Sequence, residues 1–209
     1  MTINAINNTT TVFAFDDIFI NGNTVGSTTS DLTIATDGTN EIQFRNNSHL
    51  LLNMTFDGNF TMPLNPAFLA YKSSDSTSQT GAGAQITINF DTEVFDSNSN
   101  FTSGTTFTAP ETGMYLFSFL VSFTSLTSSM DVGKVRLVTS NRTYIIELDA
   151  FNTVANSSLG GITGSVIADM DTADTATVTL TIEDGAGNTA TISGSSSEMI
   201  TYFSGYKIA

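Results

Sequence analysis

Phe107-Thr108-Ala109-Pro110-Glu111-Thr112-Gly113-Met114-Tyr115-Leu116-Phe117-Ser118-Phe119-Leu120-Val121-Ser122-Phe123 is the stretch on which the fold turns. Side chains of an extended strand alternate between two faces, so Tyr115, Phe117, Phe119, Val121 and Phe123 share one of them. Five large apolar groups in one line require a core. The opposite face carries Met114, Leu116 and Leu120 beside Ser118 and Ser122, too apolar for a strand with water on that side. A second buried face is implied, and contact with copies of the same chain is the simplest way to bury it. Pro110 ends the preceding strand, and Gly113 is read as the residue that lets the chain turn into the long one.

Outward from this stretch, the same alternation recurs in short runs separated by Asn-Gly, Asp-Gly, Asn-Asn and Gly-Gly, which predicts many strands joined by tight turns and an all-β chain. With 209 residues, 40% of them apolar and 16 Phe, there is material for one sizeable core plus an appendage. Only 12% of residues are charged, about half the usual share. The surface is therefore built of Ser, Thr, Asn and Gly, which suits a stiff β structure working outside a cell. A net charge of −14 with six basic residues excludes a nucleic-acid partner, whose phosphates need Lys and Arg to displace counterions. The absence of Cys excludes disulfides, thiolate nucleophiles and thiolate metal sites. No basic start leads into an apolar run, and no stretch approaches the roughly 18 apolar residues of a membrane helix. Neither a secretion signal nor membrane insertion is expected.

The chain divides near Pro63 and Pro66. Before it, Ile18-Phe19-Ile20 runs into Asn21-Gly22, Leu32-Thr33-Ile34 towards Asp37-Gly38, and Ile42-Gln43-Phe44 into Asn46-Asn47. Leu50 to Phe56 then precedes Asp57-Gly58, and Phe60-Thr61-Met62 follows. These irregular strand-turn units form a quasi-repeat over residues 1–62. So short a segment buries too little surface alone and leaves open strand edges. It is expected to be a β shaft or attachment segment in which three copies wind about an axis; a small β layer on the second domain is the other reading. Residues 63–84 are the neck and first head strand, and 85–209 the remainder of a head spanning about 67–209.

Within that head, Ile86-Thr87-Ile88-Asn89-Phe90-Asp91-Thr92-Glu93-Val94-Phe95-Asp96 is followed by Asn100-Phe101, then by Phe107-Thr108-Ala109-Pro110 and the Gly113 strand. The chain closes on Tyr202-Phe203-Ser204-Gly205-Tyr206-Lys207-Ile208. In this order the motifs resemble the globular domain of complement component 1q, a relative of the tumour necrosis factor fold, over two thirds of the chain. The resemblance implies a short trimeric β shaft followed by a ten-stranded jelly-roll sandwich. The core and trimer motif then rests on Phe107, Gly113, Tyr115, Phe117, Phe119, Phe203 and Gly205. It also implies successive antiparallel strands near 113–123, 131–138, 143–148, 161–168, 175–182 and 199–208. Loops 124–130, 150–160 and 183–198 fall at the end far from the shaft, and Arg142 at the shaft end, set to pair with acids of neighbouring chains. Two departures stand out: Ala173-Asp174 occupies the place where the family often has Gly-Asp, and no collagen repeat precedes the head.

The far loops offer Phe151, Asn152, Asn156, Asp184 and Asn188 as receptor-binding residues, because short polar groups match sugar hydroxyls and a ring stacks on a sugar face. Asp169, Asp171 and Asp174 resemble a loose calcium loop, and relatives of the head often bind calcium. The spacing lacks the glycine and closing glutamate of the helix-loop-helix site, so the three stand only as candidate ligands and no cofactor is assigned. His49 is the sole His and no nucleophile motif surrounds it, so no catalytic residue is assigned and the chain is read as non-enzymatic. Shaft, proline-marked neck and head together resemble a bacteriophage or other viral fibre, or a bacterial adhesive fibre. The expected function is host-cell recognition by a homotrimeric tip on a virion or extracellular surface. It would be anchored through its N-terminus to a larger assembly and bind a surface glycan or protein. A polysaccharide-cleaving fibre enzyme with paired carboxylates and a purely structural spacer are the rival expectations.

Overall fold

The computed structural model describes residues 42–46, 49–55, 57–127, 130–148, 160–185 and 187–209. Among them are sixteen strands and no helix. They are β1 (Ile42–Asn46), β2 (His49–Met54), β3 (Phe60–Thr61), β4 (Ala67–Tyr71), β5 (Ser76–Thr80), β6 (Ala82–Thr87), β7 (Thr92–Asp96), β8 (Phe101–Thr102), β9 (Thr106–Thr108), β10 (Gly113–Thr124), β11 (Val132–Thr139), β12 (Thr143–Leu148), β13 (Gly160–Met170), β14 (Thr175–Glu183), β15 (Thr189–Ile192) and β16 (Tyr202–Lys207). The head strands β4 to β16 outnumber the expected ten, because two- and three-residue pairings such as β8 and β9 interrupt longer runs.

The head is a jelly-roll sandwich. One sheet has the order β5-β15-β10-β16-β4-β7, with β13 along the other side of β10; the second has the order β12-β11-β14-β9-β8, with β6 also on β14. Every pairing in both sheets is antiparallel. The long aromatic strand is β10, and Tyr115, Phe117, Phe119, Val121 and Phe123 are all fully buried between the sheets. They join Phe68, Phe90, Phe101, Phe107 and Phe203 in one core. At two positions the rings of this strand leave room only for glycine on one side. Phe117 faces Gly205 on β16, and Phe119 faces Gly164 on β13. A Cβ at Gly205 would lie 2.6 Å from Phe117 Cδ1 and 2.8 Å from Phe68 Cε1, closer than packed atoms allow. The Tyr115 hydroxyl donates to the Glu111 carbonyl at 2.8 Å, so its burial leaves no orphan donor.

The head's motifs now have physical reasons. Asp96 accepts the Phe101 N–H at 2.8 Å, closing the loop that carries Asn100-Phe101. Ala109 of the Phe-Thr-Ala-Pro run exchanges backbone hydrogen bonds with the 171–174 turn: its N–H donates to Asp174 O and its carbonyl accepts from Ala173 N, each at 2.8 Å. Gly113 does not serve as a left-handed turn residue. It is required because a Cβ there would meet Lys207 Cε at 2.6 Å and the backbone of Ala209. Ala173, by contrast, is held at φ +73° in its turn. That conformation costs an L residue roughly 1–2 kcal/mol and glycine almost nothing. Ala173→Gly is therefore expected to stabilise the head by about 0.5–1 kcal/mol after the added freedom of the unfolded chain is subtracted. Thermal melting should show a rise of a few degrees; an unchanged or lower Tm would contradict the assigned strain.

The described part of the N-terminal segment is a three-stranded antiparallel sheet, β1-β2-β3. Its strands at Ile42, Leu50 and Phe60 match the sequence reading, whereas those expected at 18–20 and 32–34 lie outside the described residues. The pairs Ile42–Met54, Phe44–Leu52 and Met54–Phe60 place five apolar side chains on one face. Phe44 is 51% and Phe60 67% exposed, so no described residue covers that face. The neck is fastened where β16 ends: Lys207 N donates to Pro66 O at 3.0 Å, and Asn65 Nδ2 to Lys207 O at 3.0 Å.

Candidate functional site

Two surfaces of the head are set apart from its core. The first is the outer face of the β13-β10-β16-β4 sheet, where the side chains between the buried aromatics emerge. The register lays them in rows. Leu116 lies between Ile167 and Tyr206, Ser118 between Ser165 and Ser204, and Leu120 between Thr163 and Tyr202. The last two rows continue onto β4 as Leu69 and Tyr71, and Leu69 meets Phe95 on β7. Met114, Ile167, Tyr206, Ile208 and Phe95 are each 40–57% exposed. Three hydroxyls of this face turn back onto their own sheet. Thr163 Oγ1 donates to Phe119 O at 3.1 Å, Ser165 Oγ to Phe117 O at 3.2 Å and Ser204 Oγ to Ser118 O at 3.3 Å.

The second surface is the end of the sandwich away from the neck, where the loops after β10 and β14 meet. Asp184 is only 1% exposed. Its carboxylate accepts the Thr127 N–H at 2.8 Å and the Thr127 hydroxyl at 2.6 Å, while its own N–H donates to Gly81 O. Asn188 Nδ2 donates to the Asp184 carbonyl and to Thr127 Oγ1. Asp184 and Asn188 thus latch three loops to one another. The expectation that Asp184 faces a partner is corrected, because a buried carboxylate with both oxygens engaged has nothing to present. Asn188 remains half-buried. Phe151, Asn152 and Asn156 lie outside the described residues. The expected 183–198 loop also contains β15, which pairs with β5 and the end of β10.

The C1q domain family model matches residues 67–208. The chain belongs to the C1q domain family. Solved structures similar to it include the globular domain of zebrafish complement 1qA protein, at 16% identity over 69% of this chain and 98% of that one, with a TM-score of 0.47. Murine APRIL at pH 8.5 is similar at 14% identity over 69% of this chain and 99% of that one, with a TM-score of 0.46. Eiger TNF from S. frugiperda is similar at 10% identity over 69% and 93%, with a TM-score of 0.44. No curated protein matches the sequence.

In this C1q domain the core and trimer motif residues Phe107, Tyr115, Phe117, Phe119 and Phe203 converge in the single core, with Gly205 packed among them. The acidic candidates do not converge. Asp169 pairs with Arg142 at 2.7 Å, and Asp171 and Asp174 hold their own turn, Asp174 Oδ2 accepting the Asp171 N–H at 2.8 Å. Among the described residues no group of three or more His, Asp and Glu side chains gathers as a metal site. Arg142 is therefore engaged within its own chain, a correction to the expected inter-chain pairing: β12 begins beside the end of β13, which brings the acid to it. Lys134 likewise pairs with Glu147 across β11 and β12 at 2.7 Å, and Arg136 donates to Thr181 Oγ1.

A pair that the sequence did not announce sits near the far end. Lys72 is 4% exposed, and its ammonium lies 3.8 Å from Asp91 Oδ2. Burial works to raise the Asp91 carboxyl, but hydrogen bonds from Ser73 and Thr92 and the Lys72 ammonium outweigh it and hold the group below its ordinary range. A carboxylate depressed in the folded state contributes stability above its unfolded pKa of about 3.9, and loses it as pH falls through the folded value. Thermal melts below about pH 4 should show the native chain losing Tm more steeply than Asp91→Asn. Parallel curves would remove Asp91 from the acid response.

Proposed function

We propose that this C1q domain is the homotrimeric, non-enzymatic tip of a fibre on a virion or other extracellular surface, and that it recognises a host-cell glycan or protein through the end opposite the neck. The observation that carries the reading is the outer face of β10. It is largely apolar, and the hydroxyls of Thr163, Ser165 and Ser204 already have partners on their own sheet. Covering such a face gains apolar burial at little cost from these three hydroxyls, which is what a permanent contact between copies needs. The uncovered apolar face of β1, β2 and β3 fits the same three-chain arrangement continuing into a shaft. With neck and shaft at one end, the latched loops at the other are free to meet a partner.

The test is binding of the intact chain to host cells and to a glycan array, with Phe151→Ala and Asn152→Ala in the 150–160 segment and Asn141→Ala at the neck end as control. Selective binding that is lost only in the Phe151 and Asn152 variants supports recognition by that segment. No selective signal would leave a spacer, and new reducing ends on host polysaccharide would make it an enzyme.

A further inference from the structure

The outer face of the β10 sheet carries two sets of hydroxyls with opposite hydrogen-bonding capacity. Ser165, Ser118 and Ser204 form one row across β13, β10 and β16, directly opposite one another in the register. Ser118 Oγ and Ser165 Oγ are 3.1 Å apart. Ser165 donates to Phe117 O and Ser204 to Ser118 O, so the assignment that uses every proton has Ser118 donating to Ser165. The donors of the row are then spent. Each hydroxyl oxygen has two lone pairs, so the row offers its surroundings acceptors only.

Tyrosines flank this row on both sides. Tyr202 precedes Ser204 and Tyr206 follows it on β16, beside Leu120 and Leu116. Among the described residues neither phenol hydroxyl has a hydrogen-bond partner. Tyr206 is 46% exposed and Tyr202 half-buried. Each brings one free donor to the face, as do Tyr71 beside Tyr202 on β4 and Ser122 on β10.

We infer that the Tyr202 and Tyr206 hydroxyls of one copy donate to the serine row of the neighbouring copy, and that this pairing sets the register of the trimer. The inference rests on the proposed three-chain assembly and adds its specificity element. In a three-fold ring the contacts are heterologous, so different patches of the same face meet. Serine row against serine row would set acceptors against acceptors. Tyrosine against serine satisfies both and relieves the phenols of burial without a partner. The surrounding Met114, Leu116, Leu120 and Ile167 supply adhesion but no directional preference, as aliphatic contacts slide at little cost. A few polar positions in an apolar seam are a known way of fixing register.

The experiment is a double-mutant cycle on dissociation of the full-length trimer, followed by sedimentation across a dilution series. The variants are Tyr202→Phe/Tyr206→Phe, Ser118→Ala/Ser165→Ala/Ser204→Ala, and the two sets combined; the phenylalanine variants keep the ring volume. Each set alone should raise the dissociation midpoint by about tenfold, and the combination should raise it no further than the larger single effect. Effects that multiply, or Tyr→Phe variants that dissociate like the native chain, would overturn the hydroxyl pairing while leaving the trimer standing. A native chain that is monomeric at every concentration would overturn both.

Discussion

Phe203→Ala is expected to remove about 3–5 kcal/mol from the folding of the head, a large part of the roughly 5–15 kcal/mol that holds a domain together. Phe203 is fully buried and touches four other rings. Its centroid lies 4.9 Å from Phe68, 5.7 Å from Phe90, 6.1 Å from Phe101 and 5.7 Å from Phe117. Phe68 in turn stacks on Phe101 and Phe107 at 4.9 and 5.0 Å. Truncation therefore empties the point where β4, β10 and β16 meet, and each lost aromatic pair adds about 0.5–1.5 kcal/mol beyond the area term. Denaturant titration of the full chain should show the head's transition moving sharply to lower concentration. A shift worth less than about 1 kcal/mol would mean that the ring cluster does not organise the core.

Leu116→Asp should act on assembly and spare the fold. Leu116 sits on the side of β10 away from the core, between Ile167 and Tyr206. A carboxylate there would be drawn out of water in each of three copies, and burying an unpaired ion costs several kcal/mol. The buried line from Tyr115 to Phe123 is untouched. The expected product keeps its β-sheet circular dichroism and a cooperative melt but sediments as a single chain. If Leu116→Asp remains assembled, copies do not meet through this face. The contrast with Phe203→Ala is diagnostic, because neighbouring strands of one sheet yield opposite phenotypes according to which face the residue occupies.

The fold was legible in sequence wherever a signal repeats within one strand. β10 shows its two faces in eleven consecutive residues, 113–123, and its bounds and buried set follow from that alternation alone. The last strand came from the family resemblance, which placed it at 199–208; the structure has β16 at Tyr202–Lys207. The N-terminal strands at Ile42, Leu50 and Phe60 were legible from Asn-Asn and Asp-Gly turns.

What stayed hidden depends on partners distant in sequence. β15 is four residues, Thr189–Ile192, and exists because β5 and β10 offer edges that no local pattern announces. Asp184 reads as a solvated loop acid until Thr127 is brought to it from the other side of β11. Arg142 and Asp169 meet only through the approach of β12 to β13. Lys72 looks like a surface lysine following a strand, yet it is buried and its backbone pairs with the distant Ser195 and Thr201. Gly113 was assigned to a turn because glycine's freedom is local information, whereas its contact with Lys207 and Ala209 is not. Outer-face hydroxyls were visible as Ser118 and Ser122, but the bond of Ser118 to Ser165 on β13 was not.

The most direct test is the solution mass of the native full-length chain, measured by multi-angle light scattering at micromolar concentration. A homotrimer gives a single species of three times the 22.2 kDa chain mass, which is the expected result. A well-folded species of 22.2 kDa would contradict it.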